Sequence, residues 1–267
     1  MPNWVTNILE IKGSAESLKE FQQAVAGSES FDFQKILPMP ESLNIVSGSD
    51  TAQSVYAYLL TQESETVARI DCRNMMAHPE FYDDDYFQRI TKRLEEIKNA
   101  SKCSSQYEMS KNNKLKDITG TSTPATYQDY VDFGKIYTEN YRKYGCMTWY
   151  DWCRENWGSK WNAVTPEFSG DPDSDELFCQ FDTAWTPPTG IVEAMPEFLK
   201  QNKISDIEIE WKWAEEQGYF GGIFTIKGTE PEVTEQYFEA CDEAYALCEE
   251  VIGYSYELEE GETDEEE

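Results

Sequence analysis

The stretch from Tyr144 to Ala163, YGCMTWYDWCRENWGSKWNA, holds four of the chain's eight tryptophans and fixes the local structure on both sides of it. Thr148 suits a helix N-cap, with Asp151 three residues on as a weak capping-box acid. Trp149, Cys153 and Trp157 then recur at four-residue spacing, one face of a helix. Gly158 stands where a left-handed C-terminal cap belongs, so the helix is expected to end at Trp157. A strand should follow, with Trp161, Ala163 and Thr165 on one face and Lys160, Asn162 and Val164 on the other. The turn-rich Ser169–Asp175 segment leads into a second alternation. There Leu177, Cys179, Phe181, Thr183 and Trp185 oppose Phe178, Gln180, Asp182 and Ala184. The result is a hairpin hung from a tryptophan-rich helix.

Large aromatics so concentrated have two uses. They dominate packing energy when they form a core. Alternatively, Trp157, Trp161 and Trp185 are the walls of a ligand pocket whose polar groups are Arg154, Asn156, Lys160 and Asp182. Asp182 lies out of phase with Phe181 on a strand that bears few other charges. If both sheet faces are covered there it needs a partner, and Arg154 or Lys160 is the first choice.

Elsewhere the periodicities alternate between two and 3.6. Asn3 to Lys12 reads as a half-buried strand, and Ser14 to Ala26 as a helix capped by Ser14 with Leu18, Phe21 and Val25 inward. Phe31 to Leu37 reads as a short extended segment stopped by Pro38 and Pro40. Residues 51–145 change character: helices are expected at Thr51–Gln62, Tyr82–Ala100 and Tyr127–Tyr144, with a polar loop between the last two. After the hairpin come a helix at Gly190–Gln201, a strand at Asp206–Ala214, a returning strand at Gly222–Lys227 and a helix at Pro231–Cys248. A short strand near Tyr254 would close the sheet. The pattern predicts an α+β protein with one mainly antiparallel sheet and helices 14–26, 190–201 and 231–248 on one of its faces. The α+β core would comprise residues 1–50 and 146–256, with 51–145 a helical insertion and 257–267 an acidic, solvated tail.

Charge narrows the function classes. The net charge of −30 argues against direct nucleic-acid binding, which needs a basic footprint. Only Gln88 to Lys116 is basic, with eight Lys or Arg against three Glu, while the last eleven residues hold eight carboxylates. Seven cysteines without a C-x-x-C read as reduced thiols. With one histidine, His78, the usual zinc sites lack ligands, and no metal or cofactor is expected. Tyr82-Asp83-Asp84-Asp85 suits an exposed helix start better than a cation site. Phosphate-loop, dinucleotide, nucleophile-elbow and zinc-protease motifs are missing, so no catalytic residue is assigned and an enzyme is disfavoured. No apolar run reaches the ~20 residues of a membrane span, and the amino terminus lacks a basic region followed by an apolar one. A soluble, cytoplasmic protein is expected.

PNW-x-x-N at the start, FDFQKILPMPESL, YDWCRENWGSKWNA, FDTAWTPP and GYFGG together resemble the Api-like (YubB-type) proteins of phages and plasmids. That resemblance implies a ferredoxin-like domain and a mobile-element origin, and it implies no reaction. The matching residues are Asn3, Trp4, Asn7, Tyr150, Asp151, Asn156, Trp157, Gly158, Lys160, Trp161, Phe181, Asp182, Trp185 and Pro187. Val5 stands where family proteins commonly have cysteine, and residues 51–125 match least. No four-cysteine cluster spacing accompanies the ferredoxin-like label. Two functions are therefore expected to compete. One is a non-enzymatic accessory protein that binds a host protein through an acidic surface, in a counter-defence or nucleic-acid-mimic role. A basic nucleic-acid-binding protein is one candidate partner. The other is a binder of, or enzyme acting on, a small nucleotide-like or aromatic ligand in the tryptophan-lined pocket.

Overall fold

A computed structural model of the chain describes residues 3–103, 124, 126–171, 174–230 and 232–253, with the side chains of 100–103 left undescribed. In chain order these residues form β1 (Trp4–Lys12), α1 (Ala15–Val25), α2 (Phe33–Ile36), α3 (Asp50–Leu59), α4 (Glu65–Asn74), α5 (Asp84–Cys103), α6 (Tyr127–Tyr144) and α7 (Trp149–Asn156). There follow β2 (Val164–Ser169), β3 (Glu176–Ala184), α8 (Thr189–Asn202), β4 (Glu208–Glu215), β5 (Phe220–Lys227), β6 (Val233–Glu239) and α9 (Asp242–Ile252). The chain divides into two compact units, Met1–Pro38 with Cys153–Glu267, and Met39–Trp152. The strand near Tyr254, the acidic tail, Pro231, and most of the polar loop and of the basic segment beyond residue 103 lie outside the described residues.

The first unit is built on a six-stranded sheet of order β2-β3-β1-β4-β5-β6, antiparallel at every step. β1 is central because its alternation serves both neighbours: Leu9 faces Cys179 of β3 and Trp211 of β4 in register. The run β1-α1-β2-β3-α8-β4 is the split β-α-β-β-α-β of a ferredoxin-like fold. β5 and β6 widen it beyond β4, and α2 to α7 are inserted between α1 and β2. α1 forms as its residues dictate. The Ser14 hydroxyl accepts a hydrogen bond from the Ser17 amide, and Leu18, Phe21 and Val25 are buried.

One sheet face carries the main core. Phe31 stacks on Phe181 at 5.1 Å, and Phe33 and Trp211 meet Phe181 edge-on at 5.8 and 5.6 Å. Asn7 is buried on this face with its bonds satisfied. Its Nδ2 donates to the Val5 carbonyl and Thr183 Oγ1 at 2.9 and 3.0 Å, and its Oδ1 accepts from Trp211 Nε1 at 3.0 Å. Phe31–Leu37 is not extended, as its prolines suggested, because Asp32 Oδ1 caps the Gln34 amide and starts the single turn of α2. Oδ2 of the same carboxylate accepts from the Ser28 amide and hydroxyl, and Oδ1 also accepts from Asn162 Nδ2. Burial pushes the Asp32 carboxyl up, but these bonds, Asn162 foremost, outweigh it and hold the group below the usual carboxylate range.

Two further expectations are corrected. Val233–Glu239 is a strand and not the first half of a helix, because its exposed backbone gains a ladder with β5 that a lone helical turn could not offer. The last helix, α9, is therefore shorter. It also lies on the opposite sheet face from α1, packing Leu247, Cys248 and Val251 on Ala214, Ile8 and Ile223, whose side chains alternate out of the main core. α8 packs against α2 on the main-core side.

The second unit is helical. α3 crosses α6 where Gly134 approaches the Ser54 carbonyl so closely that a Cβ would stand 1.8 Å from that oxygen. Val55, Tyr56, Leu59, Phe87, Ile90, Leu94, Tyr130 and Tyr137 fill its core. α6 starts on a capping box of Thr126 and Asp129 and stops at Gly145, which is left-handed at φ 77°. α4 escaped the sequence reading because its apolar stripe is thin: only Ala68 and Cys72 are buried.

Candidate interaction face

The tryptophan-rich segment does not form one site. α7 ends at Asn156, and Gly158 adopts φ 78° as its position required. The Thr148 hydroxyl does not cap α7: its Oγ1 is buried without a hydrogen-bond partner. Residues 160–162 are bends and Ala163 is irregular, so β2 begins only at Val164. The left-handed Gly158 and the bends after it separate Trp157 from Trp161.

Trp157 belongs to the main core. It is buried, meets Phe33 edge-on at 5.7 Å, and donates its indole N–H to the Leu37 carbonyl at 2.8 Å. Trp185 stands past the end of β3 with φ 75°, 54% exposed, held by its amide to the Asn3 carbonyl. The left-handed turn breaks the alternation that would have placed it beside Phe181 and Thr183. Arg154 is exposed in the last turn of α7 and Asn156 is half-buried.

Lys160, Trp161 and Asp182 gather instead around residues that the sequence reading had not placed in the site. Trp161 packs on Trp4 with ring centroids 6.1 Å apart, and Lys160 Nζ lies 4.5 Å from the Trp161 ring centre. Asp182 accepts a hydrogen bond from Thr6 Oγ1 at 2.9 Å, its cross-strand neighbour. Trp4, Thr6 and Asp182 share the sheet face opposite the main core. The alternation of β1 already grouped Trp4 with Thr6; only strand pairing adds Asp182.

Farther along the same face the surface is acidic. Lys212 Nζ lies 2.7 Å from Glu250, 3.1 Å from Glu210 and 3.9 Å from Glu10. Lys12 Nζ sits between Glu10 and Glu176 at 2.5 and 3.3 Å. Four carboxylates thus surround two ammonium groups. The hydrogen bond from Lys12 is the largest influence on Glu10 and, with the Lys12 and Lys212 charges, holds its carboxyl below the usual range despite burial. Burial pushes the Lys212 ammonium down, but its bonds to Glu250 and Glu210 raise it overall. Ion pairs at a surface such as this contribute little to stability.

This geometry, together with a sheet in split β-α-β-β-α-β order, agrees with the comparison to known families. Residues 156–257 match the model of the ferredoxin-like domain in Api92-like protein. Over those residues the chain is similar to the ferredoxin-like domain of Api92-like proteins. No curated protein and no solved structure matches the chain. The matched Api92-like segment spans β2 to α9 and leaves out β1, although β1 sits between β3 and β4. In this protein the ferredoxin-like sheet is completed by residues far upstream in the sequence.

Other chemistry is sparse. Among the described residues no cluster of three or more His, Cys, Asp and Glu could hold a metal ion, and no helix is long and apolar enough to cross a membrane. Cys72, Cys179, Cys241 and Cys248 are free thiols. Burial pushes Cys72 and Cys153 up to about 12, which makes poor nucleophiles of them.

Proposed function

We propose that this protein is a non-enzymatic accessory protein of a phage or plasmid that binds a basic host protein through its acidic sheet face. The observation that carries this reading is the ring of Glu10, Glu176, Glu210 and Glu250 about only two lysines, on a chain of net charge −30. A surface of one sign steers a partner of the other sign, raising the association rate more than it slows dissociation. A nucleic-acid-binding host protein presents such a basic surface, and an acidic face competes for it. We favour this reading over a tryptophan-lined ligand pocket because Trp157 is committed to the core and Trp185 projects into solvent, which leaves Trp161 alone of the three expected walls.

Affinity capture from host lysate at low salt and at ~0.5 M salt tests the proposal, since a Debye length of ~4 Å at that strength releases partners held by charge. A captured partner is then purified and titrated against wild type and the E176Q/E210Q/E250Q variant. Slower association with nearly unchanged dissociation is expected. A partner that ignores both salt and these substitutions, or no salt-sensitive partner at all, refutes the acidic-face reading.

A further inference from the structure

Three of the large exposed hydrophobic side chains occur close together at one end of the sheet: Tyr219, Phe220 and Tyr237, at 50%, 37% and 53% exposure. They are not a random scatter. Phe220 and Tyr237 stack at 6.5 Å with planes 21° apart, Tyr237 lies 6.1 Å from Trp213, and Trp213 stacks on Phe224 at 6.5 Å. The rings form a tier across β4, β5 and β6 that passes from buried to solvent-exposed. Gly222 makes the tier possible, because a Cβ there would stand 2.6 Å from Trp213 Nε1. The outer rings, Tyr219, Phe220 and Tyr237, are all at least 37% exposed. They remain in water, where apolar surface is unfavourable.

The tier is flanked by charge of one sign. β6 alternates, so Glu235, Tyr237 and Glu239 emerge on the same side, opposite Phe224, Gly222 and Phe220 of β5. Both glutamates are exposed. Burial, then the charges of Glu239 and Glu235, raise the Tyr237 hydroxyl above its ordinary range, which places both carboxylates within electrostatic reach of the ring. An aromatic face with carboxylates on two sides is complementary to a cation that is itself flat and weakly hydrated: the ring faces attract the positive charge, and the carboxylates accept its N–H bonds.

We infer that the Phe220–Tyr237 tier, with Glu235 and Glu239, is a docking surface for an arginine side chain of a basic polypeptide. This shares with the acidic-face proposal the need for a basic partner, but it uses different residues on the other sheet face. The guanidinium stacks on Tyr237 and its edge bonds to one of the glutamates.

Calorimetric titration of the full chain with a hexa-arginine peptide, and with the same peptide carrying neutral citrulline, tests the inference. Arginine should bind and citrulline should not. Tyr237→Thr, which suits a strand, should weaken binding about fivefold, and Tyr237→Phe, which keeps the ring, should not. E235Q/E239Q should weaken binding more than E16Q/E20Q, an equal charge change on exposed positions of α1. Binding that is equal in wild type and Tyr237→Thr, or equal in the two glutamine pairs, overturns the inference while leaving the acidic-face proposal standing. So does a concentration-dependent dimer abolished by Tyr237→Thr, which would assign the tier to a second copy of this chain. Should Tyr237→Thr fail to fold, the comparison of the two glutamine pairs decides by itself. Conversely, a purified partner that ignores E176Q/E210Q/E250Q yet loses affinity with Tyr237→Thr refutes the acidic face and supports the tier.

Discussion

Replacing Asn7 with alanine tests whether one buried polar group holds the centre of the sheet. Asn7 has no solvent exposure and makes three side-chain bonds, to the Val5 carbonyl, Thr183 Oγ1 and the Trp211 indole. Each bond contributes a net ~1 kcal/mol, and an orphaned buried donor costs ~1–3 kcal/mol. Thr183 loses least, since its hydroxyl already reaches the Thr186 carbonyl at 2.9 Å. The Trp211 N–H has no comparable alternative: the ring is fully buried against Phe31 and Phe181. The expected loss is therefore ~3 kcal/mol. At ~2–4 °C per kcal/mol for a unit of ~150 residues, the melting temperature should fall by ~6–12 °C. Scanning calorimetry and urea titration of the full chain measure both quantities. Combining Asn7→Ala with Trp211→Phe, which removes the orphaned donor, should show a coupling of ~1 kcal/mol or more. A loss below ~1 kcal/mol, or a coupling near zero, refutes the argument that the Asn7 bond to Trp211 pins β1 to β4.

Asp32 and Gly134 give two further outcomes. Because the folded-state pKa of Asp32 is depressed, its contribution is fully present above the unfolded value of ~3.9 and is lost as pH falls through the folded one. Asp32→Asn should thus destabilise the protein at pH 7, with the gap to wild type narrowing below ~pH 4 in urea titrations across pH; a gap independent of pH refutes the carboxylate's role. Gly134→Ala forces a methyl group against the Ser54 carbonyl and should cost ~1–3 kcal/mol. Limited proteolysis should then cut within 39–152 faster than in wild type, and unchanged cleavage refutes the close crossing of α3 and α6.

Local chemistry was legible wherever a residue's own neighbours settle its conformation. The Ser14 cap, the left-handed Gly158, the α6 boundaries and the buried stripe of Leu18, Phe21 and Val25 all follow from patterns a few residues long. The same reading failed where two local patterns compete. TEQYFEA can be written as a helix or a strand, and only the vacant edge of β5 decides for the strand. Phe31–Leu37 misled because the Asp32 cap was read as part of an extended run.

The candidate site depended on tertiary structure more heavily. The sequence by itself determined which side chains are large, aromatic or charged, and by period two which residues of β1 share a face: Trp4 with Thr6. It could not determine what lies across from them, because hydrogen-bonded pairing between strands is non-local and the loops between them place no constraint on register. β1 and β3 are more than 160 residues apart in the chain, yet Thr6 and Asp182 meet in register. Pairing decided that Glu10 joins Glu176 and Glu210, while packing outside the strands decided that Trp157 is core, that Trp161 finds Trp4 and that Glu250 comes to Lys212. The reason is physical: backbone ladders satisfy buried N–H and C=O groups wherever the partner strand comes from, and the side chains follow the register that the ladder sets.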